Sequence, residues 1–190
     1  SNLSGARPRW FDVPLTILLV FATGPVASGA ATAFAKRFPT YTFGVLENLA
    51  TSLRGPGVAA LILGVSISLV PGFAEEIFFR GLLQRSLVAR AGAPLGIVVA
   101  SLLFGAFHLD PPQAISAAIL GLPLGFVTWR TKSLLPAIAG HAANNGIAVV
   151  AARYGPEEAL RDAEISAGQI AGASVFVAIL AATFWQLSRD

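Results

Sequence analysis

Along the chain, charged residues cluster between six windows that contain no Asp, Glu, Lys or Arg: 13–35, 55–74, 91–109, 111–129, 133–152 and 165–188. Each is close to the ~20 residues a helix needs to cross a bilayer core. The windows are continuously apolar, whereas strands of a membrane barrel alternate apolar and polar residues. The pattern therefore predicts an all-α fold: a polytopic helical membrane protein of about six transmembrane helices in one bundle, with residues 1–190 forming a single membrane domain.

Breakers refine the picture. Gly24-Pro25 is expected to kink the first helix, and Pro39 and Gly55-Pro56-Gly57 bound a mixed stretch that reads as a loop or an interfacial helix. Pro71-Gly72 interrupts the second run, yet residues 73–90 contain no proline and are rich in helix formers. The helix should continue past its charge-free window and take in Glu75 and Glu76. Turns are expected near 91–94, 110–112 and 130–136, and Gly155-Pro156 opens a polar link to the last span. Gly121 with Gly125, and Gly168 with Gly172, have the small-xxx-small spacing that lets helices approach closely.

Composition agrees: 55% of the residues are hydrophobic and 12% charged, against roughly a quarter charged in soluble domains. The chain has no cysteine, which excludes disulfides, thiol catalysis and thiolate metal sites. The net charge of +3 is modest and its cations are spread between windows, so no nucleic-acid partner is expected. Arg7 and Arg9, Arg85 and Arg90, and Arg130 and Lys132 fall on one side of the expected topology, which the positive-inside rule reads as cytoplasmic, with both termini there. Lys36, Arg37 and Arg54 dissent, while the net acidic 153–164 agrees. The first window runs on through Phe34, long for a signal peptide, and is read as an uncleaved helix.

Against this apolar background a few polar residues stand out. Ionisable side chains at membrane depth cost several kcal/mol and persist when paired or functional. In Glu75-Glu76-Ile77-Phe78-Phe79-Arg80, Glu76 and Arg80 share a helix face at i, i+4 and can pair. Glu75 lies about 100° around the helix and is left free to act as a base. Phe104 precedes His108 by four residues and can pack beside its ring. A hairpin turning between Arg90 and Ala93 returns Glu75 and His108 to similar depth, each about 22 Å from the turn. His141 and Asn145, again at i, i+4, project two hydrogen-bond donors from one face, a pairing suited to a developing oxyanion. His141 lies only about 12 Å from its turn, so tilt or a re-entrant turn is needed to bring it level. Taken singly, each group also has a bland reading, as acids facing headgroups or as a buried histidine and asparagine bonded to neighbouring helices. Together they include the chain's only two histidines.

These residues carry a resemblance. Glu75-Glu76 with Arg80, Phe104 with His108, and His141 with Asn145 match, in order, the EExxxR, FxxxH and HxxxN motifs of the CPBP family. These intramembrane peptidases are related to the Ras-converting CAAX prenyl endopeptidase and to bacterial proteins linked to bacteriocin processing or immunity. The resemblance covers a core of 57–152, leaving 13–35 and 165–188 as flanking helices. It implies a glutamate-dependent, metal-independent peptidase in which Glu75 and His108 activate a water. His141 and Asn145 would form the oxyanion hole, and Arg80 would organise the acidic motif around Glu76. The implied partners are a membrane-associated peptide or protein, lipidated or leader-bearing, and the lipid bilayer of a prokaryotic cytoplasmic membrane.

Other chemistries fit less well. Asp12, Asp110, Asp162 and Asp190 all sit at span edges or in loops, against an aspartyl protease. Ser66, Ser68 and Ser101 are available to a serine mechanism, but no G-x-S-x-G signature is present. No cofactor is expected. Zinc is the alternative, because two His and one or two Glu can ligate it, although the H-E-x-x-H spacing is absent. A proton-coupled transporter or a non-catalytic membrane adaptor could use the same polar cluster; small size and lack of a repeat weigh against the transporter.

Overall fold

The computed structural model describes residues 8–38, 44–156 and 165–187. Arg7, Pro39 and the polar link beyond Pro156 lie outside the described residues. Every regular element described is helical: α1 (Asp12–Arg37), α2 (Gly44–Arg54), α3 (Val58–Glu76), a π-helical stretch (Ile77–Gln84), α4 (Arg85–Ala91), α5 (Ala93–Phe107), α6 (Pro111–Thr131), α7 (Leu135–Tyr154) and α8 (Ala167–Leu187). All six windows become helices, and the mixed stretch after Phe38 resolves as the short helix α2.

Among the described residues four helices are long and apolar enough to cross a membrane by themselves: Asp12–Arg37, Val58–Ala91, Pro111–Thr131 and Ala167–Leu187. The helical membrane bundle is as expected, and the expected count of about six helices roughly fits. The helix α5 has 15 residues, short of a full span, and α7 is diluted by His141, Asn144 and Asn145. Helix α5 packs against α6 and α7 against α3 and α1, with Leu95, Val98, Leu102, Leu103 and Phe107 of α5 left exposed. Other helices are exposed in the same way. Val58, Leu61, Ile62, Val65, Leu69 and Val70 on α3, and Val175, Phe176 and Ile179 on α8, all lie exposed. An apolar surface this extensive is a lipid-facing surface, and the protein is an integral membrane protein.

The ends of the bundle are tied by cations. At one end the Arg9 guanidinium donates to the carbonyl of Leu187 and Arg130 Nη2 donates to that of Trp185 (3.3 Å). At the other, Arg153 Nη1 donates to the carbonyl of Leu53 and Arg54 Nη2 to that of Gly155 (2.7 Å). This groups the termini as the sequence pattern predicts. Helix starts and stops follow local rules. Asp110 caps α6 by accepting from the Gln113 N–H at 3.0 Å, with Pro111 and Pro112 in the first turn. Gly92, at φ +81°, makes the tight reversal between α4 and α5.

Helix α1, outside the motif-bearing core, is packed into the bundle through Leu19 and Val20. Leu19 joins Val127, Leu180 and Phe184, and Val20 joins Leu124 and Ala137, so α1 is the shared wall of α6, α7 and α8. The two glycine pairs diverge. A methyl at Gly121 or Gly125 would meet Ser101, Arg80 and Gln84 or Ile97, whereas nothing lies within 4 Å of that position at Gly172 and only Ser166 Oγ at Gly168. The latter spacing makes no helix contact among the described residues, because that face of α8 is turned away from the bundle.

The tightest backbone approach is at Gly105, where a Cβ would run into the carbonyl oxygen of Ala114 and meet the Ala118 Cβ at 2.8 Å. Gly105→Ala is expected to lower the melting temperature in detergent through overpacking of about 1–3 kcal/mol, while Gly172→Ala leaves it unchanged or raises it. Equal effects of the two substitutions in a thermal-shift assay would contradict this packing.

Candidate active site

Glu76 is the centre of a buried polar cluster. Its Oε1 receives Arg80 Nη1 at 3.0 Å and His141 Nδ1 at 2.9 Å, with Glu76 and Arg80 0% and 1% exposed. One carboxylate oxygen thus joins α3, the π-helical stretch and α7. A carboxylate at this depth is stable only with charged and hydrogen-bonding partners, and here it has both. The i, i+4 pairing read from the sequence is present.

Arg80 is held from two further sides. Its Nη2 donates to the carbonyl of Gly121 on α6 at 3.3 Å, and its guanidinium stands 4.3 Å from the ring centroid of Phe104 on α5. Four residues on, Gln84 Nε2 donates to the carbonyl of Gly125 at 3.0 Å. The offset between partners is the same in both bonds, so this stretch and α6 run parallel, with α5 antiparallel between them. Gln84 is buried and belongs to the same stripe as Glu76 and Arg80, a role not assigned from the sequence. The signal was available as polar residues at 76, 80 and 84 on an otherwise apolar helix. The π-helical geometry was not legible. Such widened turns are rare and recur at functional sites.

Glu75 points to the same histidine from another angle. Its Oε2 lies 3.9 Å from His141 Nε2, has no hydrogen-bond partner, and belongs to a side chain 21% exposed. His141 therefore stands between the two acids. Because a carboxylate only accepts, the Nδ1 facing Glu76 carries the proton, and Nε2 is the atom presented to Glu75. The level contact expected to require tilt is made possible by Gly72. A Cβ there would come within 3.0 Å of the Ala142 backbone nitrogen, so α3 and α7 touch backbone to backbone one residue from His141.

His108 is brought alongside, through Phe104. The rings of Phe104 and His108 meet edge to face at 5.1 Å, and those of Phe104 and His141 at 5.6 Å. His108 Nδ1 donates to the carbonyl of Phe104 at 3.0 Å, which leaves Nε2 with a free lone pair. Asn145 is turned elsewhere: its Nδ2 donates to the carbonyl of Ile67 on α3 at 3.4 Å. Ser68 and Ser101 bond back to the carbonyls of Gly64 and Ile97 in their own helices rather than to a histidine. Among the described residues no group of three or more His, Asp or Glu side chains is arranged to hold a metal ion.

Fold and site together define a helical integral membrane protein with an acid–histidine centre inside its bundle. Residues 57–147, just under half of the chain, match the family model described as Rce1-like, Type II CAAX prenyl endopeptidase Rce1-like, which agrees with the CPBP resemblance of the motifs. The match takes in all seven motif residues and leaves α1, α2 and α8 outside. No curated protein and no solved structure matches the chain.

Removing Glu76 leaves Arg80 buried without its counter-charge. Glu76→Ala should destabilise the protein by about 3–5 kcal/mol, and the double variant Glu76→Ala/Arg80→Met should recover part of that loss. Thermal unfolding of the purified variants in one detergent checks the order; a double variant less stable than Glu76→Ala would contradict the pairing.

Proposed function

We propose that the protein hydrolyses a peptide bond in or near a membrane-associated substrate, using a water activated by Glu75 and His108. The observation that carries this reading is the contrast between adjacent glutamates. Glu76 is fully buried with its Oε1 on Arg80 and His141, while the Glu75 side chain is 21% exposed and its Oε2 lies 3.9 Å from His141 Nε2. One acid holds the site and the other is free for proton transfer.

In the proposed step Glu75 takes a proton from water as the water oxygen attacks the carbonyl carbon of the scissile bond. His108 assists through Nε2, whose lone pair is left free by the bond from Nδ1 to Phe104. The tetrahedral oxyanion is met by His141 Nε2, a donor in the imidazolium form, and by Asn145. The Asn145 amide has a second N–H beyond the one given to Ile67. Glu75 then delivers its proton to the leaving nitrogen as the C–N bond breaks. Arg80 and Glu76 fix His141 without touching the substrate. No metal or cofactor enters this scheme, and no nucleic acid is a partner. A lipidated or leader-bearing peptide is the proposed substrate class, and a prokaryotic cytoplasmic membrane the proposed setting.

Proteolysis of a mixed peptide library by detergent-solubilised protein tests the scheme. Glu75→Gln and His108→Ala should each lower cleavage by about 10²-fold or more at unchanged melting temperature, and a chelator should change nothing. Cleavage abolished by chelator would replace the scheme with zinc chemistry. Full activity in Glu75→Gln would refute the assignment of the base.

A further inference from the structure

A second polar feature lies beside the first and is not used by the proposed hydrolysis. Between the π-helical stretch, α4 and the C-terminal end of α6 is a cavity of about 170 Å³ lined by Arg80, Gln84, Arg85, Thr128, Trp129 and Lys132. None of its lining residues is acidic. Three of these side chains, Arg80, Gln84 and Thr128, are at most 2% exposed. Atoms without a hydrogen-bond partner remain on all three: Arg80 Nε and Nη1, the latter ion-paired with Glu76, Gln84 Oε1 and Thr128 Oγ1. Buried polar atoms seldom stay unpartnered, so a cavity they share calls for an occupant that satisfies them.

The unmet groups define its chemistry. Arg80 Nε–H, the Thr128 hydroxyl, and the cations of Arg85 and Lys132 require an anion with several acceptor oxygens. Gln84 Oε1 requires a hydroxyl or N–H donor. Cations are crowded here: partial burial, and then the neighbouring Arg130, push Lys132 below the ordinary lysine range. The level of the pocket narrows the source. Trp129 stacks on Trp185 at 5.9 Å, Arg130 stands 4.2 Å over the Trp185 ring, and Lys132 Nζ stands 5.3 Å over that of Trp129. Tryptophans interleaved with Arg and Lys at helix ends mark the headgroup level of a membrane. At that level the available anion is a lipid phosphate, and basic pockets between helices hold such headgroups.

We propose that this pocket binds the headgroup of an anionic, hydroxyl-bearing phospholipid, its phosphodiester on Arg85, Lys132, Arg80 and Thr128 and a headgroup hydroxyl on Gln84. The site is independent of whether Glu75 is a catalytic base. It touches the acidic motif through Arg80, which lines the pocket and pairs with Glu76.

The test is lipid retention by the full chain in detergent, read by native mass spectrometry after exposure to phosphatidylglycerol or phosphatidylcholine, and repeated with millimolar inorganic phosphate. Wild type should retain one phosphatidylglycerol, at least about tenfold over phosphatidylcholine, and inorganic phosphate should not displace it. Arg85→Gln/Lys132→Gln should lower retention at least about tenfold at unchanged melting temperature. Ala89→Glu, which sets a negative charge in the lining, should do the same, and it decides the matter if the double variant does not fold. Equal retention of both lipids, or retention unchanged in the variants, would overturn the proposal; displacement by inorganic phosphate would make this a free-anion site and overturn the lipid assignment.

Discussion

The structure hangs on one oxygen atom. Glu76 Oε1 is bound at 3.0 Å by Arg80 and at 2.9 Å by His141, and the Glu76 and Arg80 side chains are 0% and 1% exposed. Neither charge could stay at this depth alone, since removing one leaves an uncompensated ion in an apolar bundle. Arg80 therefore takes up partners on other helices as well. It reaches the Gly121 carbonyl on α6 and the Phe104 face on α5, so the requirement of one buried cation fixes the relative positions of four segments. Helices in lipid gain little from hydrophobic burial against one another, which makes such polar ties and close packing the main sources of a defined arrangement.

Close approach is the second condition. Side chains as short as Glu and His can meet across helices only where the backbones nearly touch, and Gly72 against Ala142 supplies that contact one residue from His141. Gly121 and Gly125 serve the parallel neighbour: a methyl at either would fall within 3.2 Å of Arg80 Nη2 or 2.5 Å of Gln84 Oε1. The small residues and the buried polar stripe are thus one device. Glycines bring the carbonyls of α6 within reach, and Arg80 and Gln84 take them up.

Much of this was legible in the sequence. Charge-free windows gave the helices, because a membrane leaves few places to hide a charge, and the polar exceptions marked the site for the same reason. What escaped depends on how helices pack against each other. The pattern could not show that, of the four long spans, α6 is the most enclosed and α8 the least. Nor could it show that Glu75, about 100° around the helix from Glu76, still looks at His141. A histidine with two ring nitrogens can serve two acids at once, which no one-residue rule anticipates. Asn145, read as an oxyanion donor, also gives an N–H to the Ile67 carbonyl, a partner its spacing did not name. Spacing gives the face of a residue, and the partner waiting there belongs to another helix. Gln84 was overlooked for the opposite reason: its position one turn past Arg80 was visible, but a lone glutamine near a run of charged residues looks like the end of a helix.

The unequal treatment of two neighbouring glutamates follows from these constraints. A single acid would have to choose between neutralising Arg80 and remaining available, because an oxygen shared by two donors is a poor proton acceptor. Two consecutive acids separate the tasks, since successive residues on a helix cannot face the same way. Glu76 takes the buried side, where Arg80 and His141 wait, and Glu75 takes the edge, where its side chain is 21% exposed. His141 then links them, with Nδ1 on the acid that holds and Nε2 toward the acid that is free. A shift of α7 that moved His141 would loosen Glu76 and change the surroundings of Glu75 in the same motion, and the close approach of Gly72 to Ala142 holds the two helices at this level.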